Sequence, residues 1–132
     1  METDRGSRKD FIHCYTRRDA LEDGFHIEVS NVAAEAGIRY PMFLTRSVYE
    51  RFVTVPPGAS CQDEAGRLWD VVWMLRYAIQ KGPADAARLP IQLYVRNSNQ
   101  KDPELVQLIA ECGPLDFDDP RPAITVMLPG EE

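Results

Sequence analysis

The longest helical pattern of apolar and polar positions covers residues 62–82, QDEAGRLWDVVWMLRYAIQKG. At about 100° per residue its aliphatic side chains fall on one stripe that we expect to face a core: Leu68, Val71, Val72, Leu75, Ala78 and Ile79. Ser60 and Asp63 both suit the start of this helix, because their side-chain oxygens can accept hydrogen bonds from its first N–H groups. Gly82 followed by Pro83 indicates its end, with Gly82 expected in a left-handed cap.

The same helix carries a second, aromatic stripe. Trp69, Trp73 and Tyr77 recur every four residues on the side roughly opposite the aliphatic stripe, with Asp70 beside them. Three interpretations are open: the rings pack beneath a loop or second layer of the chain, they bind a partner, or they stack on a ligand. Trp and Tyr are enriched at interface hot spots, so we take these residues, with Asp70, as the candidate partner-binding surface.

Short elements are predicted before the long helix. Strands are predicted at residues 11–15 and 25–29, where β-forming residues predominate. Short helices are predicted to begin at capping hydroxyl residues, covering residues 17–23 after Thr16, 30–36 from Ser30, and 46–53 after Thr45. Residues 38–44 contain Pro41 and are predicted to be an extended or edge segment at most.

The second half of the chain has a β pattern. Strands are predicted at residues 89–96, 104–112 and 123–128, with polar or turn-rich loops at 97–103 and 113–122. This order predicts an α+β fold, in which a C-terminal antiparallel meander packs on the long helix while the short helices cover an edge. The N-terminal strands either join that sheet or form a small sheet of their own. We expect a flexible N-terminus at residues 1–10 and a single domain at residues 11–132.

Composition narrows the class of protein. The net charge of −6 disfavours nonspecific nucleic-acid binding, which needs dense Lys and Arg. Cys14, Cys61 and Cys112 are far apart and lack metal-type spacing, so no metal is expected. The glycine-rich phosphate-loop patterns are missing as well, so no cofactor is expected. A charged N-terminus without an apolar run, and no stretch long enough to span a bilayer, lead us to expect a cytoplasmic protein without a membrane partner.

Two polar constellations are candidates for chemistry. His13, Tyr15, Thr16 and Arg17 join a predicted strand to a predicted helix start, an arrangement that could hold an anion or a nucleotide phosphate. Mono-ADP-ribosyltransferase-type folds begin with a similar aromatic- and His-bearing strand, but their later catalytic glutamate has no identified counterpart here. Capped helix ends with solvated arginines would give the same pattern.

The second constellation is at the start of the long helix. Asp63, Arg67 and Asp70 are spaced three to four residues apart, which suits either a surface ion-pair ladder with a cap or a polar site. Asp63 and Arg67 are included with the first constellation in one candidate polar pocket. The acidic segment with Asp116, Asp118 and Asp119 suits a tight turn, with a divalent-ion site as the alternative.

Four blocks of the chain carry a family resemblance. FIHCYTRRDALEDG, LTRSVYE, QDEAGRLWDVVWM and ECGPLD…PAITVMLPGEE resemble, in order, the successive blocks of the DUF6573 family. The resemblance implies a small bacterial protein of a kind often carried on plasmids, integrative elements or phages. It implies no activity.

These observations lead to one expected function and two alternatives. We expect a noncatalytic accessory protein of a bacterial mobile element that binds a protein partner through the aromatic–acidic surface, with an anti-defence role as one version. The first alternative is a nucleotide-binding or ADP-ribosyltransferase-like enzyme that uses the region of His13, Tyr15 and Arg17. The second is a structural homodimer subunit.

Overall fold

The structure, a computed structural model, describes residues 15–57, 59, 62–98 and 102–131. The predicted flexible segment 1–10 and positions 11–14 of the first predicted strand lie outside these residues, as does Ser60. Tyr15 precedes the first helix and is not part of a strand.

Helices and strands alternate in the first half of the chain, and the second half is mostly strand. The helices are α1 (Arg17–Glu22), α2 (Ser30–Glu35), α3 (Arg46–Val48), which continues directly into a π-helical turn (Tyr49–Val53), and α4 (Glu64–Lys81). The strands are β1 (His26–Glu28), β2 (Met42–Thr45), β3 (Arg88–Val95), β4 (Glu104–Asp116) and β5 (Asp119–Met127). Among the described residues, no helix is long and apolar enough to cross a bilayer.

The five strands of the described part of the chain belong to one sheet in the order β1-β2-β5-β4-β3. The neighbours β1–β2, β5–β4 and β4–β3 are antiparallel, whereas β2 and β5 are parallel, so the sheet is mixed. The predicted α+β class is therefore confirmed. Of the two arrangements left open, the described N-terminal strands β1 and β2 join the C-terminal sheet.

Helix α4 packs on one face of the sheet. Val71, Val72 and Leu75 are fully buried among the inward-facing residues of the strands, as the predicted aliphatic stripe requires. Leu68 and Ala78 are only partly buried, and Ile79 is exposed. The buried stripe is thus narrower than the sequence pattern, because only one sheet face receives it.

Helix α1 packs on the opposite face. Arg17 contacts Phe43 and Thr125, whose side chains alternate along β2 and β5 with the core residues Leu44 and Val126. Alternate residues of a strand point to opposite faces, so α1 and α4 are separated by the sheet.

The helix caps decide most of the boundaries. Thr16 forms a reciprocal capping box with Asp19, Thr45 accepts from Val48 N, and Asp63 accepts from Gly66 N, as predicted for these three starts. The prediction for Ser30 was wrong. Val29 occupies the cap position, and the Ser30 hydroxyl instead donates to Glu28 and accepts from Met42 N, which links α2 to β2.

Gly82 ends α4 for a reason that differs from the prediction. Its φ of −87° is not left-handed, so no positive-φ cap is formed. A Cβ at this position would lie 2.5 Å from Leu89 Cδ2. A side chain here would displace the buried Leu89 side chain, so glycine at this position permits the close approach of the helix end to β3.

Two strand predictions also need correction. Residues 42–45 form an interior, fully buried strand, since Pro41 precedes β2 and interrupts no ladder bond within it. The predicted loop 113–122 is instead a continuation of the β4–β5 hairpin, closed by a turn at Phe117 and Asp118. Two of its three prolines, Pro114 and Pro122, pair with each other, and a register shift follows toward the turn.

Candidate functional site: a groove between helix α4 and strand β3

A groove of about 990 Å³ runs between α4 and β3. From α4 it is lined by Trp69, Asp70, Trp73, Met74, Tyr77, Ala78 and Lys81. From β3 it is lined by inward-facing residues such as Leu89 and Leu93 and by outward-facing residues such as Pro90, Gln92 and Tyr94. Because both faces of the strand contribute, the groove follows the edge of β3.

The aromatic stripe of α4 forms one wall of this groove. Trp69, Trp73 and Tyr77 are 36%, 45% and 51% exposed, so no loop or second layer within the described residues covers them. The two indole rings stack with centroids 5.8 Å apart, and Arg76 lies over Trp73 at 4.9 Å. A contiguous exposed apolar surface of this kind is typical of a binding site.

The other wall is a sheet edge. Strand β3 is the last strand in the order and pairs only with β4 among the described strands. Cys112 N donates to Ala87 O, which identifies that pair as hydrogen-bonded in the antiparallel ladder. Hydrogen-bonded pairs alternate along such a ladder, so the main-chain groups of Pro90, Gln92 and Tyr94 point away from β4. Pro90 has no N–H to place there.

The ends of the groove are fixed by two close contacts between α4 and β3. At the helix start, the Arg67 guanidinium donates from Nη1 to Arg96 O (2.8 Å) and from Nη2 to Asn97 Oδ1 (2.8 Å), immediately beyond β3. At the helix end, Gly82 lies against Leu89. The helix and the strand therefore run antiparallel along the length of the groove.

Arg67 is a buried structural hub. It also donates from Nε to Phe52 O (3.1 Å), from Nη2 to Arg51 O (3.4 Å) and from Nη1 to Gln62 Oε1 (2.9 Å). The two carbonyls belong to the π-helical turn. The guanidinium thus links that turn, the start of α4 and the end of β3. Arg67 therefore has a structural role.

The two aspartates of the predicted ladder have different roles. Asp63 caps α4, and Asp70 lines the groove. Burial raises the pKa of the Asp70 carboxyl, while the nearby Arg67 charge opposes that shift. Tyr15, Thr16 and Arg17, by contrast, line a different cavity on the far face of the sheet. The structure therefore does not bring Asp63 and Arg67 together with them, and His13 lies outside the described residues.

That second cavity has a volume of about 310 Å³ and is built around Arg17. The guanidinium lies over the Phe43 ring at 4.0 Å and donates from Nε to Leu115 O (3.0 Å). Its Nη1 contacts Thr125 Oγ1 (2.8 Å) and His26 Nδ1 (3.1 Å). Since arginine only donates, His26 Nδ1 must accept, which places the histidine proton on Nε2.

The start of α1 already holds a carboxylate of the same chain. Arg17 N and Arg18 N donate to the two oxygens of Asp116, at 2.9 and 3.1 Å. The pKa of Asp116 is lowered: burial would raise it, but these backbone hydrogen bonds and the Arg18 charge outweigh that effect. The position in which the sequence suggested a bound phosphate is thus occupied by the turn of the β4–β5 hairpin.

Residues suggested for other chemistry have ordinary partners. The Tyr15 hydroxyl donates to Asp23, and Asp119 accepts from Arg121 in an exposed ion pair. Burial raises the pKa of the Cys112 thiol, which disfavours the thiolate. Within residues 15–57, 59, 62–98 and 102–131, no group of three His, Cys, Asp or Glu side chains is arranged to hold a metal ion.

Sequence reasoning missed several residues that matter in the structure. Gln92, Tyr94 and Pro90 form the open edge, and His26 and Thr125 surround Arg17. The alternation in residues 25–29 does place His26 on the face opposite the core. Which strand lies at a sheet edge depends on long-range pairing, for which these segments carry no local signal.

A family model described as a family of unknown function, DUF6573, matches residues 6–132. The chain belongs to this family. No curated protein and no solved structure matches this DUF6573 protein. The groove and the Arg17 cavity therefore have to be interpreted from their own chemistry.

Replacing Arg67 with methionine tests its role as the hub of the DUF6573 fold. Arg67→Met keeps an apolar stem but leaves buried carbonyls without donors, and we expect the free energy of unfolding to fall by about 2–4 kcal/mol in urea denaturation. Arg51→Met is the matched control, because it changes an exposed side chain while keeping the Arg51 carbonyl; a change within about 0.5 kcal/mol is expected. Equal changes in the free energy of unfolding for the two substitutions would contradict this structural role of Arg67.

Replacing His26 with asparagine tests its protonation state. Burial and the Arg17 charge lower the pKa of His26 below its usual 6.5. The unfolded chain therefore binds the proton more readily, so the stability that neutral His26 contributes is present above pH 6.5 and is lost as the pH falls from 6.5 through the lowered folded-state pKa. His26→Asn keeps an acceptor toward Arg17 but does not titrate. In urea denaturation, we expect the free energy of unfolding to fall more between neutral and mildly acidic pH in wild type than in this variant. Equal decreases in the two proteins would refute the neutral state of His26.

Proposed function

We propose that this protein is a noncatalytic accessory protein of a bacterial mobile element that binds a protein partner through the groove between α4 and β3. The observation that carries the proposal is the exposure of Trp69, Trp73 and Tyr77 along one wall of that groove. Large aromatic side chains supply much contact area for little lost conformational freedom, which is why they dominate the energetics of protein interfaces.

The composition of the groove supports binding over catalysis. Among its described lining residues, Asp70 is the one carboxylate, and none is a histidine, cysteine or serine. Such a lining offers apolar contact area and rings, and it lacks the paired nucleophile and base of an acyl- or phosphoryl-transfer site. Asp70, at the base of the aromatic wall, supplies an acceptor that would orient a partner.

The setting on a mobile element is part of the proposal and rests on the resemblance of the sequence blocks described above. One version is an anti-defence role, in which a small acidic protein occupies a host nuclease or restriction complex. That version predicts that the partner is a nuclease or restriction subunit. Identifying the captured partner therefore tests both partner binding and the anti-defence role.

Capture of a partner from bacterial lysate tests the groove. Tagged wild type is expected to retain a protein that the double variant Trp69→Ala/Trp73→Ala loses, because truncating hot-spot aromatics weakens binding by at least about thirtyfold. Tyr40→Ala is the matched control, since Tyr40 is equally exposed but outside the groove. Circular dichroism must show that every variant folds. Equal capture by wild type and the folded double variant would contradict the proposal, and a captured nuclease or restriction subunit would favour the anti-defence version.

A second candidate function is binding of a nucleotide in the Arg17 cavity. It is favoured by the convergence of Tyr15, Thr16, Arg17 and His26 on one concave site. Glu111, Asp116 and Glu131 line the same cavity, and their charge opposes a phosphate.

Calorimetric titration with adenine nucleotides tests this second candidate. Heat of binding is expected for wild type and for Arg18→Ala, whose side chain is exposed, and is expected to disappear in Arg17→Ala. An absence of heat in wild type, together with unchanged amide chemical shifts around His26, would eliminate the nucleotide function.

A further inference from the structure

We propose that the occupant of the groove is an extended segment of the partner protein, which adds to the open edge of β3 as a sixth strand. This inference rests on the proposed function, because it specifies how the same groove is filled. The segment carries apolar or aromatic side chains at alternate positions and acidic side chains at the end that lies near Lys81. The edge of β3, the spacing of the rings and the charges around the groove each contribute one part of this description.

The edge supplies the hydrogen bonds. Gln92 and Tyr94 each direct a main-chain N–H and C=O away from β4, and Pro90 directs a C=O alone. A strand that pairs here gains donors and acceptors at Gln92 and Tyr94, whereas Pro90 can only accept. The added strand is therefore expected to pair with the C-terminal half of β3, which lies beside the start of α4. Proline at this place also limits uncontrolled edge-to-edge association.

The two walls have matching lengths. Between its contacts at Arg67 and Gly82, α4 rises about 1.5 Å per residue, and β3 rises about 3.3 Å per residue between Leu89 and Arg96. Both spans come to roughly 22 Å, so strand and helix remain side by side along the groove. A partner strand on the edge of β3 would therefore stay beside the helix throughout.

The spacing of the rings suits a strand. Trp69, Trp73 and Tyr77 are four residues apart, or about 6 Å along α4. Side chains on one face of a strand recur every two residues, or about 6.6 Å. Successive side chains of an added strand would therefore meet successive rings. A helical occupant satisfies its own backbone and would leave the outward main-chain groups of Gln92 and Tyr94 to water.

The charge around the groove favours an acidic segment. The chain carries a net charge of −6, yet Arg76 lies over Trp73 and Lys81 over Tyr77, and Asp70 is the one carboxylate among the described lining residues of the groove. Arg88 also lines the Lys81 end of the groove, but its guanidinium is paired with Glu111, so Arg76 and Lys81 supply the positive charge in this argument. Acidic residues at the end of the segment near Lys81 would complement these cations.

Selection of phage-displayed random peptides of about ten residues tests the inference. Immobilised wild-type protein is the bait, and peptides that also bind Trp73→Ala are removed. The expected binders alternate apolar residues and include acidic ones. Fluorescence anisotropy then measures the affinity of the synthetic peptides. Gln92→Pro removes one outward N–H, so we expect the peptides to bind this variant at least about tenfold more weakly than wild type. We expect the matched control Gln92→Ala to bind them as tightly as wild type does.

A second measurement avoids any change to the protein. N-methylation of the peptide at alternate residues removes the N–H groups that would face β3, and methylation at the intervening residues leaves them in place. Only one of the two methylated forms is expected to lose binding, since strand pairing uses every second N–H.

The outcomes separate this inference from the proposed function. Binders with helical spacing that Gln92→Pro leaves unaffected would overturn strand addition while supporting the groove as a binding site. Equal binding of both methylated forms would also overturn strand addition. If wild type selects no peptide that Trp73→Ala fails to bind, both the inference and the proposed function are contradicted.

Discussion

The buried guanidinium of Arg67 is the interaction on which the arrangement of this fold depends. A π-helical turn does not make the regular i to i−4 bonds of an α-helix, and here two of its carbonyls, on Arg51 and Phe52, accept from Arg67. The same fork reaches Arg96 O and Asn97 beyond the end of β3. With Gln62 Oε1, the guanidinium has five acceptors for its five donors, whereas a lysine would offer only three.

The groove follows from that constraint. Arg67 fixes the start of α4 against the end of β3, and the lack of a side chain at Gly82 lets the helix end approach Leu89. With both ends fixed, the aliphatic stripe is committed to the sheet. The aromatic stripe must then lie beside the edge of β3, where the described chain provides no further layer. The exposure of the rings is thus a consequence of how the helix is anchored.

Much of the fold could be predicted from local signals, because helix caps and periodicity act over a few residues. Thr16, Thr45 and Asp63 cap as expected, and α4 has nearly its predicted bounds. The interior position of β2 and the partners of Arg67 involve residues far apart in sequence, which spacing does not encode. For the candidate site, the sequence identified the aromatic stripe but could not tell its exposure, since a ring repeat suits a core and a surface equally well.

The two concave sites differ in what a ligand would have to displace. At α1, Asp116 already accepts from the first N–H groups, and Arg17 is engaged by Leu115 O, Thr125 and His26. An anion binding there must replace a carboxylate held at the end of its own hairpin, so part of its binding energy is lost to that exchange. Among the described residues, no group of the chain occupies the groove in this way, because its rings face solvent and its strand edge directs hydrogen-bonding groups outward. Water is what a partner displaces from those rings, and the release of water from apolar surface is itself favourable.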